Sequence, residues 1–162
     1  MARTNKRQLS AKPKSPFQHA VENTSEISSA YCKGLQALKK SETGKVIASE
    51  PIKIDGSVDI DSAVKKLYPE DNRWDYAIGY DGKVCYIEVH PAYTSEVATI
   101  EAKFSWLKAW LKNKAPQLGA LPKASVSFVW VHTKGGYILP QSRQAKTLAS
   151  LGIKVVPVHK LT

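Results

Sequence analysis

The sequence predicts an α/β domain in which helices flank a mixed central sheet, and three features carry that expectation. The runs WDYAIGY (74–80) and KVCYIEVH (83–90) are rich in aromatic and β-branched residues and are separated by Asp81-Gly82, the dipeptide favoured in two-residue hairpin turns. Between Thr94 and Lys114 the apolar residues Ile100, Phe104, Leu107 and Leu111 recur at helical spacing. A strand SVSFVWVHT (125–133), a helix over 141–151 stopped by Gly152 and a strand IKVVPVHK (153–160) then close the chain.

The preceding elements are read in the same way. Residues 1–14 are polar and basic without periodicity and are expected to form a disordered arm ahead of one domain over 15–162. Ser15-Pro16-Phe17-Gln18 is a helix start: a capping serine, a proline at the first helical position and an S-x-x-Q box. The spacing of Ile27, Tyr31, Leu35 and Leu38 predicts helix to about Lys40, kinked or restarted at Asn23-Thr24-Ser25. Two short strands, KVIAS (45–49) and PIKI (51–54), follow, then a helix over 60–68 ended by Pro69.

Composition restricts the function classes. A hydrophobic fraction of 43% suits a globular domain, and no apolar run approaches the roughly 20 residues that cross a bilayer. The N-terminal stretch lacks the apolar core of a secretory signal, so an intracellular, cytoplasmic protein is expected. Cys32 and Cys85 show no metal-ligand spacing and are expected to be free thiols.

The net charge of +10 is unevenly spread. Residues 1–14 carry five bases and no acid, residues 102–162 carry ten bases and no acid, and all fourteen acids lie between. Basic flanks around an acidic centre suit a nucleic acid gripped by its phosphates while carboxylates hold a cation at its backbone.

The acidic centre contains a directed polar group. Along the second hairpin strand Glu88 and His90 point one way while Cys85, Ile87 and Val89 point the other, and the Asp81-Gly82 turn sets Asp75 nearly opposite Glu88. Adjacent strands lie about 4.8 Å apart, so two carboxylates on one face can share Mg²⁺ or Mn²⁺, with water and substrate phosphate completing the shell. His90 can bind that metal, act as general base or orient the attacking water.

This arrangement resembles the PD-(D/E)XK, or restriction-endonuclease-like, superfamily. Asp75 in WDYAIGY matches the family's aspartate at the start of the second core strand, and Glu88-Val89-His90 falls where (D/E)-x-K stands on the third. The resemblance spans roughly residues 17–133 and implies an αβββαβ core, metal ions held by Asp75 and Glu88, and phosphodiester hydrolysis. Two positions depart from the pattern: Trp74 stands in place of proline and His90 in place of lysine. His90 itself is the preferred substitute; Lys103 on the following helix is the other candidate, and Glu22 or Glu26 is the candidate for a first-helix glutamate.

Arg3, Lys6 and Arg7 of the arm, with Trp106, Lys108, Trp110 and Lys112 of the long helix, form an expected nucleic-acid surface of stacking rings and basic groups. Lys134-Gly135-Gly136-Tyr137 reads as a turn. The leading expectation is a Mg²⁺- or Mn²⁺-dependent nuclease acting on DNA or RNA, as a homodimer or within a larger complex. Its main alternative is the same fold without catalysis, binding nucleic acid or a protein. A third arrangement joins Glu88, His90 and either His132 or His159 in a two-histidine, one-carboxylate iron or zinc site.

Overall fold

The computed structural model describes residues 12–135 and 138–162. The element order is α1 (Pro16–Glu22), β1 (Val46–Ala48), β2 (Ile54–Asp59), α2 (Ile60–Val64), β3 (Tyr76–Tyr80), β4 (Lys83–Ala92), α3 (Val97–Asn113), α4 (Pro116–Gly119), β5 (Lys123–Gly135), α5 (Arg143–Leu151), β6 (Ile153–Val156) and β7 (His159–Leu161). Five strands form one sheet in the order β2-β3-β4-β5-β6, antiparallel from β2 to β4 and parallel from β4 to β6. β1 and β7 pair in parallel as a separate small sheet. The mixed α/β architecture is the one expected, with α1 before an antiparallel three-strand meander, α3 after it, and β5 returning parallel to β4.

The strand period of two splits the apolar residues between two cores. Ala77, Val84, Tyr86 and Trp130 face Phe17, Ala20 and Val21 of α1, Ile100, Phe104 and Leu107 of α3, and Leu148 of α5. Tyr76, Ile78, Cys85, Ile87, Val89, Val129 and Val131 face the opposite side. That second face is covered by Leu38, Val46 of β1 and Leu161 of β7, and by no α-helix among the described residues. Both faces of β3 and β4 are therefore buried, which explains why their sequences read as nearly continuous apolar runs.

The hairpin turn forms as expected, with positive φ at both Asp81 (50°) and Gly82 (77°). Its register pairs Tyr76 with Ile87 and Tyr80 with Lys83. Caps also follow the sequence: Ser15 accepts from the Gln18 N–H, Ser142 from the Ala145 N–H, and Gly152 closes α5 in the left-handed region.

The first helix ends well before Lys40. α1 stops at Glu22, the Thr24 hydroxyl donates back to the Ala20 carbonyl, and only a 3₁₀ turn, Ser25–Ile27, follows. Gly34 at φ 55° is incompatible with a continuing helix. The helically spaced Ile27 and Leu38 serve different cores, one on each side of the sheet. Likewise Pro51–Lys53 is a 3₁₀ turn, and the first meander strand is Ile54–Asp59. The arm's residues 1–11, including Arg3, Lys6 and Arg7, lie outside the described residues, as do Gly136 and Tyr137. Among the described residues no helix is long and apolar enough to cross a membrane. Both cysteines are free, and burial pushes the Cys85 thiol up to about 12.

Gly79 is required by packing. A Cβ added there would lie 2.5 Å from Phe17 Cγ, at the point where α1 crosses β3. Gly79→Ala is expected to destabilise the protein by about 1–3 kcal/mol. Urea unfolding measures this, and adding Phe17→Leu should return part of the loss.

Candidate active site

One interior position of the sheet carries a charge. Glu88 sits in the middle of β4 with no exposed surface, on the face covered by α3. Continuing the β3–β4 register one step past Tyr76–Ile87 sets Asp75 opposite it. The two residues bond reciprocally: the Asp75 N–H donates to Glu88 Oε2 at 3.1 Å, and the Val89 N–H donates to Asp75 Oδ2 at 3.0 Å. The Asp75 carbonyl accepts from the Ile60 and Asp61 N–H groups at the start of α2. Every polar atom of Asp75 is thereby fixed except the carboxylate oxygen that faces α3.

Lys103 supplies the facing charge. It lies on the buried stripe of α3, three residues after Ile100 and four before Leu107, and its ammonium contacts Glu88 Oε1 directly and lies 3.7 Å from Asp75 Oδ1. The carboxyl and ammonium groups of Asp75 and Lys103 are largely buried, at 13% and 15% side-chain exposure, so this ion pair is weakly screened. Lys103 does not snorkel to solvent; it turns inward to the carboxylates.

Two carboxylates share one ammonium, and the titration of the group reflects the imbalance. Burial pushes Glu88 well above the usual carboxylate range; the charge of Asp75 adds to this, and Lys103 opposes it. Asp75 is also raised, chiefly by burial, against the pull of Lys103 and the Val89 N–H. For Lys103 burial favours the neutral amine, but the combined charges of Glu88 and Asp75 win and hold it above its usual value.

His90 occupies the edge of the group. Its Nδ1 lies 4.0 Å from Glu88 Oε1 and its Nε2 lies 2.7 Å from Glu96 Oε2 in the turn before α3. Its carbonyl accepts the Trp130 indole N–H at 2.9 Å, which fixes the strand beneath it. The amine nearest the carboxylates is thus Lys103, while His90 is the histidine at the solvent-facing rim.

A second ring of contacts positions the aspartate. Arg73 donates to Asp61 Oδ1 at 2.8 Å and to the carbonyls of Tyr68, Pro69 and Asp71, tying the loop that delivers Asp75. Trp74 is fully buried with its ring edge toward Phe104. Arg73, Asp61 and Glu96 escaped the sequence reading because only the docking of α2 and α3 brings them here.

The first-helix glutamates do not join this group. Glu22 bonds Lys14 and Gln18. Glu26 accepts from the Tyr68 hydroxyl and the Trp110 indole, both at 2.8 Å. The expected stacking surface on α3 is corrected in part: Trp110 is buried at 3% exposure, stacked on Trp106 with ring centroids 5.6 Å apart, and not offered to a base. The Trp106 indole donates to Asp71. Trp106 ties α3 to the 68–71 loop and Trp110 ties it to Glu26, whereas Lys108 and Lys112 remain exposed.

His132 pairs with His90 across β4 and β5, while His159 lies on β7 in the other sheet. Among the described residues no group of three or more His, Cys, Asp or Glu side chains is arranged to hold a metal ion, so the two-histidine, one-carboxylate site is not assembled. What is assembled is a two-carboxylate, one-amine group. No family model, curated protein or solved structure matches the chain.

Two outcomes follow from the geometry. Lys103→Met leaves two buried carboxyl groups facing each other and is expected to cost about 3–5 kcal/mol in urea unfolding, with partial recovery on adding Asp75→Asn. A carboxyl raised on folding binds its proton more tightly in the folded state. Its stabilising contribution is therefore complete below the unfolded value near 4.3 and is lost as pH rises through the folded value. Relative to wild type, Glu88→Gln should become progressively more stable as pH increases from about 4, as measured by unfolding at stepped pH.

Proposed function

We propose that the protein is a metal-dependent nuclease of the PD-(D/E)XK type in which Lys103, reaching from α3, takes the place of the lysine that the strand lacks. The observation that carries this reading is the Lys103 ammonium on Glu88, with Asp75 beside it, at one buried position. An aspartate opening β3, a glutamate on β4 and an amine against both reproduce the chemistry of the motif, although the amine comes from a different element. The helix, antiparallel meander, helix and parallel strand around them follow the expected order.

The donor set fits a hard divalent cation. Two buried carboxyl groups face one ammonium, and burial first, with the charge of Asp75 added, raises the proton affinity of Glu88, a proton whose place a divalent cation would take. Mg²⁺ or Mn²⁺ would be held by Asp75 and Glu88, with water and phosphate oxygens completing the shell. When bound, such a cation lowers the pKa of a coordinated water and offsets charge on the phosphodiester. Lys103 keeps its proton and stabilises negative charge developing on the phosphate. The exposed Lys108 and Lys112 give the backbone phosphates of DNA or RNA a basic approach.

A second reading rests on the same ammonium. Because Lys103 already neutralises one carboxylate, the fold can hold the group without metal and serve only to bind nucleic acid or protein. Cleavage of plasmid, single-stranded DNA and RNA with Mg²⁺ or Mn²⁺ separates the two. The nuclease reading expects cutting that EDTA stops, that Glu88→Ala abolishes, and that Lys103→Ala slows by about 100-fold or more. It also expects Mg²⁺ to raise the melting temperature of wild type but not of Glu88→Ala. Binding without cutting on every substrate, and no shift with metal, would leave the binding module.

A further inference from the structure

We propose that the groove between α3, α4 and the start of β5 docks an acidic peptide segment of another protein, anchored by an apolar side chain. The proposal is independent of the nuclease reading, although an occupant would cover Lys108 and Lys112, which that reading offers to phosphate.

Helix packing builds the groove. Leu111 ends the buried stripe of α3, and Pro116–Gly119 folds back on it as α4, so close that a Cβ added at Gly119 would lie 3.4 Å from Leu111 Cβ. Between these helices and Phe128 of β5 lies an open groove of about 450 Å³, within the roughly 300–1,000 Å³ of ligand sites. Its floor is apolar, made by Leu111, Pro116, Ala120 and Phe128. Three exposed lysines border it: Lys108 and Lys112, one turn apart on α3, and Lys123, which opens β5. Lys108 stands 5.5 Å over the Phe104 ring, and Lys123 donates to the Gly119 carbonyl at 3.3 Å. None of the three meets a carboxylate among the described residues.

An occupant that complements this surface is apolar at its centre and negative at its edges. The chain itself supplies none. Residues 1–14 carry five bases and no acid, and a second copy presenting the same face would set lysine against lysine. Nucleic acid matches the lysines but not the floor. Lysine is the only polar side chain lining the groove, so a base seated there would leave the donors of its edge unpaired. Phe128 is already stacked on Tyr86, with centroids 5.5 Å apart, and perpendicular to Phe104 at 4.9 Å. A lipid surface is gripped by apolar groups that protrude, whereas Leu111 is only 7% exposed. An aliphatic or aromatic side chain flanked by Asp or Glu fills the floor with no polar group left over and brings several carboxylates to the three ammoniums.

The test is selection from a random peptide library on the full chain, followed by fluorescence anisotropy of the enriched peptides. These should combine an apolar residue with neighbouring Asp or Glu and bind more weakly as salt is raised. The double variant Lys108→Glu/Lys112→Glu and the single variant Ala120→Glu should each weaken binding about ten-fold or more, whereas Lys65→Glu, at the exposed end of α2, should leave it unchanged. All four positions are exposed, so melting temperatures near that of wild type confirm that the variants fold. Enrichment of no acidic sequence would overturn the proposal, as would acidic peptides whose affinity Ala120→Glu does not change. A single-stranded oligonucleotide or phosphatidylserine vesicles bound in a way that Ala120→Glu abolishes, with no peptide retained, would overturn it too and give the groove to nucleic acid or to a lipid surface.

Discussion

The structure depends on keeping Glu88 charged or protonated inside the sheet without leaving it unpaired. Burying an isolated carboxylate costs several kcal/mol, and the chain meets that cost with two groups, the N–H of Asp75 just before β3 and an ammonium from α3. Replacing such a group with apolar residues of similar volume is often neutral or stabilising, so stability does not account for it. The residues that bracket it, Arg73 on the incoming loop and Trp130 beneath His90, spend their hydrogen bonds on orienting rather than on packing. A group so placed fits a site held ready for a ligand.

The same constraint ties the site to folding. α3 packs Ile100, Phe104, Leu107 and Trp110 against the sheet, and Lys103 lies on that stripe. Its ammonium can reach Glu88 only if the helix docks in this register. The Trp106–Trp110 stack, with Tyr68 edge-on to Trp106 and the indoles bonded to Asp71 and Glu26, holds the outer side of that helix to the loop that carries Arg73 and Asp75. The tryptophans thus act on the site at a distance, by fixing both elements that meet there.

The Asp75–Glu88 pair was legible because the Asp81-Gly82 turn sets the register of a whole hairpin and the strand period does the rest. Lys103 was legible in principle, as a charge on an apolar helical stripe, but the direction of a long side chain is a tertiary property. Glu96, Asp61 and Arg73 had no local signal at all. β2 was missed because IDGSVD is poor in β-formers and is held by pairing with β3. The long first helix was misread because Ile27 and Leu38 share a helical period yet are buried on opposite faces, a division no single-helix pattern encodes.

Charge distribution poses the last physical problem for the proposed nuclease. In that reading the exposed lysines of α3 and of the start of β5 would attract a polyanion over roughly a Debye length of 8–10 Å, whereas Asp75 and Glu88, when ionised, would repel a phosphate at contact. A purely basic surface would not need that opposition, and a purely structural ion pair would balance its charges. Two carboxyl groups against one ammonium balance only while one of them holds a proton, the state toward which burial pushes Glu88. A divalent cation in place of that proton would reconcile the two fields, because it would reverse the local sign at the carboxylates and leave the long-range attraction intact. On the proposed function the acids and their basic flanks in the sequence would be two halves of one electrostatic arrangement, capture at a distance and cation-mediated contact at the carboxylates.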